Sequence, residues 1–274
     1  MNLLEAIVLG IIQGITEFLP ISSSGHLVLL QNLFGIKEGN LFFTEMLHFG
    51  TLISIFVVYF NDIIKIIVEF FKLIISIIKG KKVKVINKYQ KLGLLIILGS
   101  IPTAIIGLLF KDFFESLYAS ILPIGFAFLV TGLLLWFSEK KAFQNKDVKN
   151  MSALDAFLIG TAQGIAIIPG ISRSGSTIVA GLLRGLNKPL ATEYSFLLAL
   201  PVTFGASLLG IVDVINSKTE ILINFPLLVG VLASTIVGII TIKFLINLIN
   251  KNKLHYFSYY LWILGIFVIV SHFI

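Results

Sequence analysis

Long apolar runs alternate along the chain with short polar breaks, and the runs are of two kinds. Six are unbroken and long enough for a bilayer core of about 30 Å, which takes about 20 helical residues. They lie near 42–60, 92–110, 119–138, 191–212, 226–246 and 256–274. Two further stretches, 2–36 and 153–185, are interrupted. The first breaks at Pro20 and Ser22-Ser23-Ser24-Gly25-His26, the second at Pro169-Gly170 and Ser172-Arg173-Ser174-Gly175-Ser176. Proline cannot continue a helix and Ser-Gly clusters favour turns, so each stretch predicts two half-helices joined by a polar turn.

The two interruptions are copies. Gln13-Gly14-Ile15 recurs as Gln163-Gly164-Ile165, and Ile21-Ser22-x-Ser24-Gly25 recurs as Ile171-Ser172-x-Ser174-Gly175 at the same spacing. The chain therefore reads as two related halves, 1–145 and 152–274, joined by a polar linker that holds Lys140, Lys141, Lys146 and Lys149. If each interrupted stretch is a re-entrant hairpin, each half has three spans, and an odd number turns one half upside down relative to the other. The expected architecture is an all-α polytopic membrane protein. It is an inverted-topology repeat with six spanning helices and two re-entrant helical hairpins, in one integral membrane domain.

Loop charge tests the inversion. One set of alternate loops holds Lys65, Lys72, Lys79, Lys81, Lys82, Lys84, Lys88 and Lys91, the four linker lysines, Arg184, Lys188, Lys243, Lys251 and Lys253; the other holds Lys37, Lys111 and Lys218. Basic residues stay on the cytoplasmic side, which puts both termini outside. Full spanning pairs in place of the hairpins would leave the parity unchanged, so the charge speaks for inversion and not for re-entrance. The segment 61–91 reads either as a basic amphipathic helix along the inner surface or as a solvated loop that fixes topology.

Composition agrees with this class. The 274 residues are 57% hydrophobic and only 13% charged, against about 25% in a soluble domain, and mean hydropathy is +1.01. A disordered chain and a nucleic-acid module are excluded; the net charge of +7 sits in the breaks between spans and not on a binding face. The chain has no cysteine, which excludes a disulfide scaffold and a thiolate metal site. The start Met1-Asn2-Leu3-Leu4-Glu5 lacks the basic region of a secretory signal.

Polar groups at membrane depth are costly and point to function. Here they are Gln13, Glu17, Ser22, Ser23, Ser24, His26 and Arg173. Gln13 and Glu17 are four apart and share a helix face. Arg173 stands where the first copy has Ser23, and Ile167 where it has Glu17. One copy carries carboxylate, hydroxyls and imidazole; the other carries a guanidinium. Tips brought together would add two half-helix N-termini, whose backbone N–H groups suit an anion, and an arginine fork suited to phosphate oxygens. Each residue also has a plainer reading. Ser174 and Ser176 serve close helix packing, Gln13 and Gln163 bond across to neighbouring helices, Glu17 with Arg173 forms a structural ion pair, and His26 is a satisfied buried imidazole. His48, His255 and His272 read as structural.

The run Gln13-Gly14-Ile15-Thr16-Glu17-Phe18-Leu19-Pro20-Ile21-Ser22-Ser23-Ser24-Gly25-His26, with Pro169-Gly170-Ile171-Ser172-Arg173-Ser174-Gly175, resembles the undecaprenyl-diphosphatase family, also called bacitracin-resistance proteins. The resemblance covers essentially the whole chain. It implies removal of the terminal phosphate of undecaprenyl diphosphate, recycling the monophosphate lipid carrier for cell-wall synthesis and giving bacitracin resistance. It further implies a divalent cation, Mg²⁺ or Ca²⁺, and an active site on the outer face of the bacterial cytoplasmic (inner) membrane. By position, Glu17 matches the second acid of the family's (Glu/Gln)-x-x-x-Glu motif and the metal ligand. Gln13 is the amide variant of the first acid. Ser23 matches the proposed nucleophile, Ser24 stands where many members have Thr, and His26 and Arg173 match the catalytic histidine and arginine. Ser22, Ser172, Ser174 and Gly175 complete the expected substrate contacts. The implied partners are the lipid substrate and membrane lipids, with no nucleic acid; a homodimer is left open.

Two other readings compete with this one. Membrane acid-phosphatase-type lipid phosphatases need an Arg-Pro motif and a second histidine six residues after an arginine; neither Arg173 nor Arg184 is followed by Pro, and position 179 is Val. A lipid or small-anion transporter or flippase shares inverted repeats and broken helices but needs no nucleophile, so Ser23, His26 and Arg173 together favour an enzyme.

Overall fold

The computed structural model describes residues 2–36, 41–80, 87–138, 145–216, 224–251 and 253–273. Among them the chain is helical, with no strand beyond an isolated bridge between Lys146 and Leu186. Lys37, Lys81, Lys82, Lys84, Lys140, Lys141 and Lys218 lie outside the described residues.

Both interrupted stretches are pairs of short helices. The first pair is α1 (Leu3–Thr16) and α2 (Ser23–Leu33). Between them and the second pair run α3 (Leu41–Val58), α4 (Phe60–Ile78), α5 (Lys88–Leu109), α6 (Lys111–Leu117) and α7 (Ile121–Ser138). The second pair is α8 (Ala153–Ile165) and α9 (Arg173–Leu183), followed by α10 (Lys188–Asn216), α11 (Phe225–Asn250) and α12 (Tyr256–Phe273).

Among the described residues five helices are long and apolar enough to cross a membrane: α5, α7, α10 over Lys188–Gly210, α11 and α12. The α3–α4 pair, bent by 83° at its break, adds a sixth if the pair is one span. The protein is thus a multi-pass helical membrane protein. After the bend, α4 carries Asn61, Asp62, Lys65, Glu69 and Lys72 on one face and exposes Phe60, Ile64, Ile67 and Phe71 on another, which agrees with the amphipathic reading of this segment rather than the loop.

The copy relation runs further than sequence identity displays. Helix α1 starts on a capping box between Asn2 and Glu5; α8 starts on one between Ser152 and Asp155. Such boxes satisfy two backbone donors that a helix start leaves open. Helices α2 and α9 are capped by Ser22 and Ser172, each accepting from the glycine three residues on. Both end at a left-handed glycine, Gly35 (φ 64°) and Gly185 (φ 86°). The same 150-residue offset relates every one of these positions.

Helices from before and after the linker pack on one another. Helix α1 packs along α11 and α8 along α5, while α7 packs on α12 and α3 on both α10 and α11. The α1–α11 seam is backbone-close: a methyl group on Gly10 would overlap the Gly230 carbonyl. At the α8–α5 seam a methyl group on Gly160 would overlap Gly99 in the same way. Small residues let helix backbones approach where no hydrophobic force drives association, and hydroxyl bonds across the seam add about 0.6–2 kcal/mol each. Here Thr103 donates to the Gly160 carbonyl at 2.8 Å and Ser54 to the Thr235 carbonyl at 2.8 Å. The base of the second pair is clamped as well. Asp155, fully buried, accepts from Lys146 Nζ at 3.0 Å and Arg184 Nε at 2.8 Å.

Candidate active site

The connections between the paired helices meet inside the protein. The Ser174 hydroxyl of the second tip donates to the Leu19 carbonyl of the first at 3.3 Å. A Cβ on Gly175 would lie 3.2 Å from Pro20 Cβ, so glycine there lets the tips touch. Helix α7 holds the second tip from behind, because Thr131 Oγ1 accepts from Ser172 N and donates to the Gly170 carbonyl, both at 3.2 Å. Arg173 and Ser23 are the first residues of α9 and α2, so two helix N-termini open on one polar centre.

Glu17, at the end of α1, organises that centre. Its Oε1 accepts from Arg173 Nη2 in an ion pair with side-chain exposures of 7% and 18%. Its Oε2 accepts from Ser23 Oγ at 2.5 Å and from Gln13 Nε2 at 3.0 Å. The spacing of Gln13 and Glu17 on one helical turn is realised as a direct bond. Two buried polar atoms at the centre have no protein partner among the described residues: Arg173 Nη1, a donor, and Gln13 Oε1, an acceptor.

The other expected residues lie around this core. Ser22 Oγ is 3.2 Å from Ser24 Oγ. Ser172 Oγ caps Gly175 N at 3.1 Å and lies 3.2 Å from Ser174 Oγ; both serines are 1% exposed, so their hydroxyls are engaged in shaping the tip. His26 is buried beside the centre with its ring directed elsewhere: Nδ1 to the Ser22 carbonyl at 2.7 Å and Nε2 to the Tyr260 hydroxyl at 2.7 Å. The hydrogen-bond acceptor that Ser23 meets is Glu17.

Two neighbours were not singled out from sequence. His48 on α3, read there as structural, brings Nε2 to 3.7 Å from Glu17 Oε2 while Nδ1 lies 2.9 Å from the Thr44 carbonyl. Tyr260 reaches His26 from α12. Neither carries a local signal, since only tertiary packing brings α3 and α12 to the first tip.

Among the described residues no three His, Asp or Glu side chains cluster as a metal cage. The oxygen donors present are nonetheless those a hard cation takes: the Glu17 carboxylate, the unpartnered Gln13 Oε1 and the Ser23 hydroxyl. One carboxylate supplemented by substrate oxygens is an ordinary magnesium arrangement, so the donor set fits.

Fold and site together define a multi-pass membrane protein with a serine hydroxyl, a carboxylate and a guanidinium joined at a largely buried polar centre. The chain belongs to the family described as bacitracin resistance protein BacA, which matches residues 6–267. Similar proteins named undecaprenyl-diphosphatase come from Alkaliphilus metalliredigens, 52% identical over 98% of both chains, and Halothermothrix orenii, 46% identical over 98% of both. A third, from Carboxydothermus hydrogenoformans, is 42% identical over 98% of this chain and 97% of its own.

Proposed function

We propose that this protein hydrolyses undecaprenyl diphosphate to undecaprenyl phosphate and orthophosphate. The observation that carries the reading is the continuous Ser23–Glu17–Arg173 contact, which joins a nucleophile, its proton acceptor and a cation across two halves of the chain. Family membership and the names of the relatives support the substrate.

Phosphoryl transfer relies on positioning and on charge stabilisation. Arg173 offers its unpartnered Nη1 to an oxygen of the terminal phosphate, and the N-termini of α2 and α9 add backbone donors. Ser23 Oγ attacks the terminal phosphorus, its proton passes to Glu17, and the bond to the bridging oxygen breaks, releasing the prenyl monophosphate. Water then attacks the phosphoserine. Its proton goes to His26, while the proton held by Glu17 returns to the leaving Ser23 oxygen. Glu17 with Gln13 would hold the divalent cation, Mg²⁺ or Ca²⁺, which when bound neutralises charge on phosphate oxygens. Ser22 and Ser24 border the phosphate position, and Ser172, Ser174 and Gly175 hold the second tip around it.

The reading includes topology. Helices of 14, 11, 13 and 11 residues in the two interrupted pairs reach about 16–21 Å at 1.5 Å per residue, short of a bilayer core, which supports re-entrant hairpins. The exchanged α1–α11 and α8–α5 partnerships support an inverted repeat of 1–145 and 152–274. Thr44-Glu45 in α3 and Thr192-Glu193 in α10 extend the likeness beyond the hairpins. With the lysine-rich loops inside, both termini and the site face outward from the cytoplasmic membrane.

The test is phosphate release from a C55 diphosphate by the purified protein in detergent with Mg²⁺, where no gradient can drive transport. Release that Ser23→Ala abolishes is the expected result. Binding of the lipid without release would refute the enzyme reading.

A further inference from the structure

Helix α4 follows a turn that the second half does not make at the matching place. Thr44-Glu45 and Thr192-Glu193 set α3 beside α10, yet α3 ends at Val58 and bends by 83° into α4, whereas α10 runs unbroken to Asn216. Helix α3 alone has 18 residues. At 1.5 Å per residue it reaches about 27 Å, close to a bilayer core of about 30 Å, so α4 is not needed for the crossing. A helix turned by 83° from a crossing direction lies nearly along the membrane plane.

Three faces run along α4 at helical spacing. One is buried and holds Ile63, Ile66 and Leu73; Ile66 and Phe70 pack at Gly93 of α5. One is apolar and exposed, with Phe60, Ile64, Ile67, Phe71, Ile75 and Ile78. The third is polar, with Asn61, Lys65, Glu69, Lys72, Ser76 and Lys79. A helix surrounded by acyl chains has no use for the third face, and one surrounded by water has no use for the second. The combination fits the boundary between acyl chains and headgroups. The polar side is cationic: between 61 and 91 eight lysines stand against two acids, Asp62 and Glu69. Glu69 is engaged, accepting from Lys72 Nζ at 2.6 Å and from Asn87 Nδ2 at 2.6 Å, which ties α4 to the start of α5. Lys65 Nζ donates to the Tyr89 hydroxyl at 3.5 Å and lies 5.4 Å from the ring centre. Lys88 Nζ lies 5.6 Å from the same ring and 3.7 Å from Glu193. Among the described residues neither Lys65 nor Lys79 has a carboxylate partner.

We propose that α4 and the start of α5 form a binding surface for anionic phospholipids in the leaflet on the side of the lysine-rich loops. The exposed apolar stripe enters the acyl boundary of that leaflet. Lys65 and Lys79, with Lys88 across Tyr89, meet the headgroups. Charge selects the occupant: an excess of lysine draws a negatively charged membrane surface within a Debye length, and lysine meets phosphate as a mobile point charge. Zwitterionic headgroups have no net charge for that excess to meet. The surface shares no residue with the Ser23–Glu17–Arg173 centre, so it stands whether or not the protein hydrolyses a diphosphate.

The test uses the full chain with Ile67→Cys, which is its single cysteine, labelled with bimane and reconstituted in phosphatidylcholine vesicles; Phe71→Cys gives a second label site on the same stripe. Lipids with a nitroxide quencher near the top of the acyl chain are added with a phosphatidylglycerol or a phosphatidylcholine headgroup. Both are expected to quench, phosphatidylglycerol at a mole fraction at least about threefold lower. Lys65→Gln with Lys79→Gln is expected to bring the two lipids within about 1.5-fold of each other. Both lysines are exposed, and an unchanged thermal unfolding midpoint confirms that the doubly substituted chain is folded. Labels that neither lipid quenches would mean that protein, such as a second copy of the chain, covers the stripe, and would overturn the proposal. Equal quenching by the two lipids with the lysines in place, or an undiminished preference in the glutamine variant, would overturn it as well.

Discussion

Arg173, the first residue of α9, donates to the carboxylate of Glu17, 156 positions earlier at the end of α1. The contact is part-buried, Glu17 more deeply than Arg173, and it joins two separate loops. Removing one partner strands the other charge at depth, which costs about 3–5 kcal/mol. Arg173→Ala is therefore expected to lower the thermal unfolding midpoint in detergent by several degrees. The neutral pair Glu17→Gln with Arg173→Met recovers most of that loss while remaining inactive. Unfolding curves of the single and double variants check this.

Chelation gives a second expectation. With no cluster of three carboxylate or imidazole groups among the described residues, cation binding through Glu17 is expected to be weak and easily reversed. EDTA should stop phosphate release, and added Mg²⁺ or Ca²⁺ should restore it. Gln13→Glu, which supplies a second carboxylate one turn away, is expected to lower the Mg²⁺ concentration for half-maximal rate at least about threefold. Metal titration of the rate checks it.

Gly25 tests the packing of the first tip. A Cβ there would lie 2.6 Å from the Phe128 ring, which is fully buried. Overpacking of this kind costs about 1–3 kcal/mol. Gly25→Ala should destabilise the protein by that amount, and Phe128→Leu should relieve part of the clash in the double variant. Additive losses would contradict the contact.

Topology can be read directly because the chain has no cysteine. Ser120→Cys, before α7, is expected to react with a membrane-impermeant maleimide in intact cells. Asn150→Cys, exposed in the linker, is expected to react only after the cells are opened. The reverse pattern would turn the protein over and move the site to the inner face.

The spans and the half-helices were legible because membrane thickness sets their length and because Pro20, Pro169 and the Ser-Gly clusters interrupt them. The meeting of Glu17 with Arg173 was legible for a related reason: charge at membrane depth seeks a partner. Other features were hidden. The left-handed Ser22 (φ 70°), whose carbonyl meets the ring of His26, is one backbone dihedral, and no pattern of apolar positions encodes it. His48 and Tyr260 come to the site from α3 and α12, and a histidine near a span end looks the same whether it packs or faces a carboxylate. The capping boxes at Asn2 and Ser152 and the terminal glycines Gly35 and Gly185 repeat in role, but the caps differ in residue type, so the copy relation is longer in structure than in identities.

That the two tips act as one catalytic unit is tested most directly by a rate cycle on Ser23 and Arg173. Phosphate release from the C55 diphosphate is measured for wild type, Ser23→Ala, Arg173→Ala and the double variant, with folding checked. Each single variant is expected to lose at least about a thousandfold, and the double to lose no more than the worse single, as residues acting as a unit do. Multiplied losses in the double variant, or near-normal release by either single one, would contradict the account.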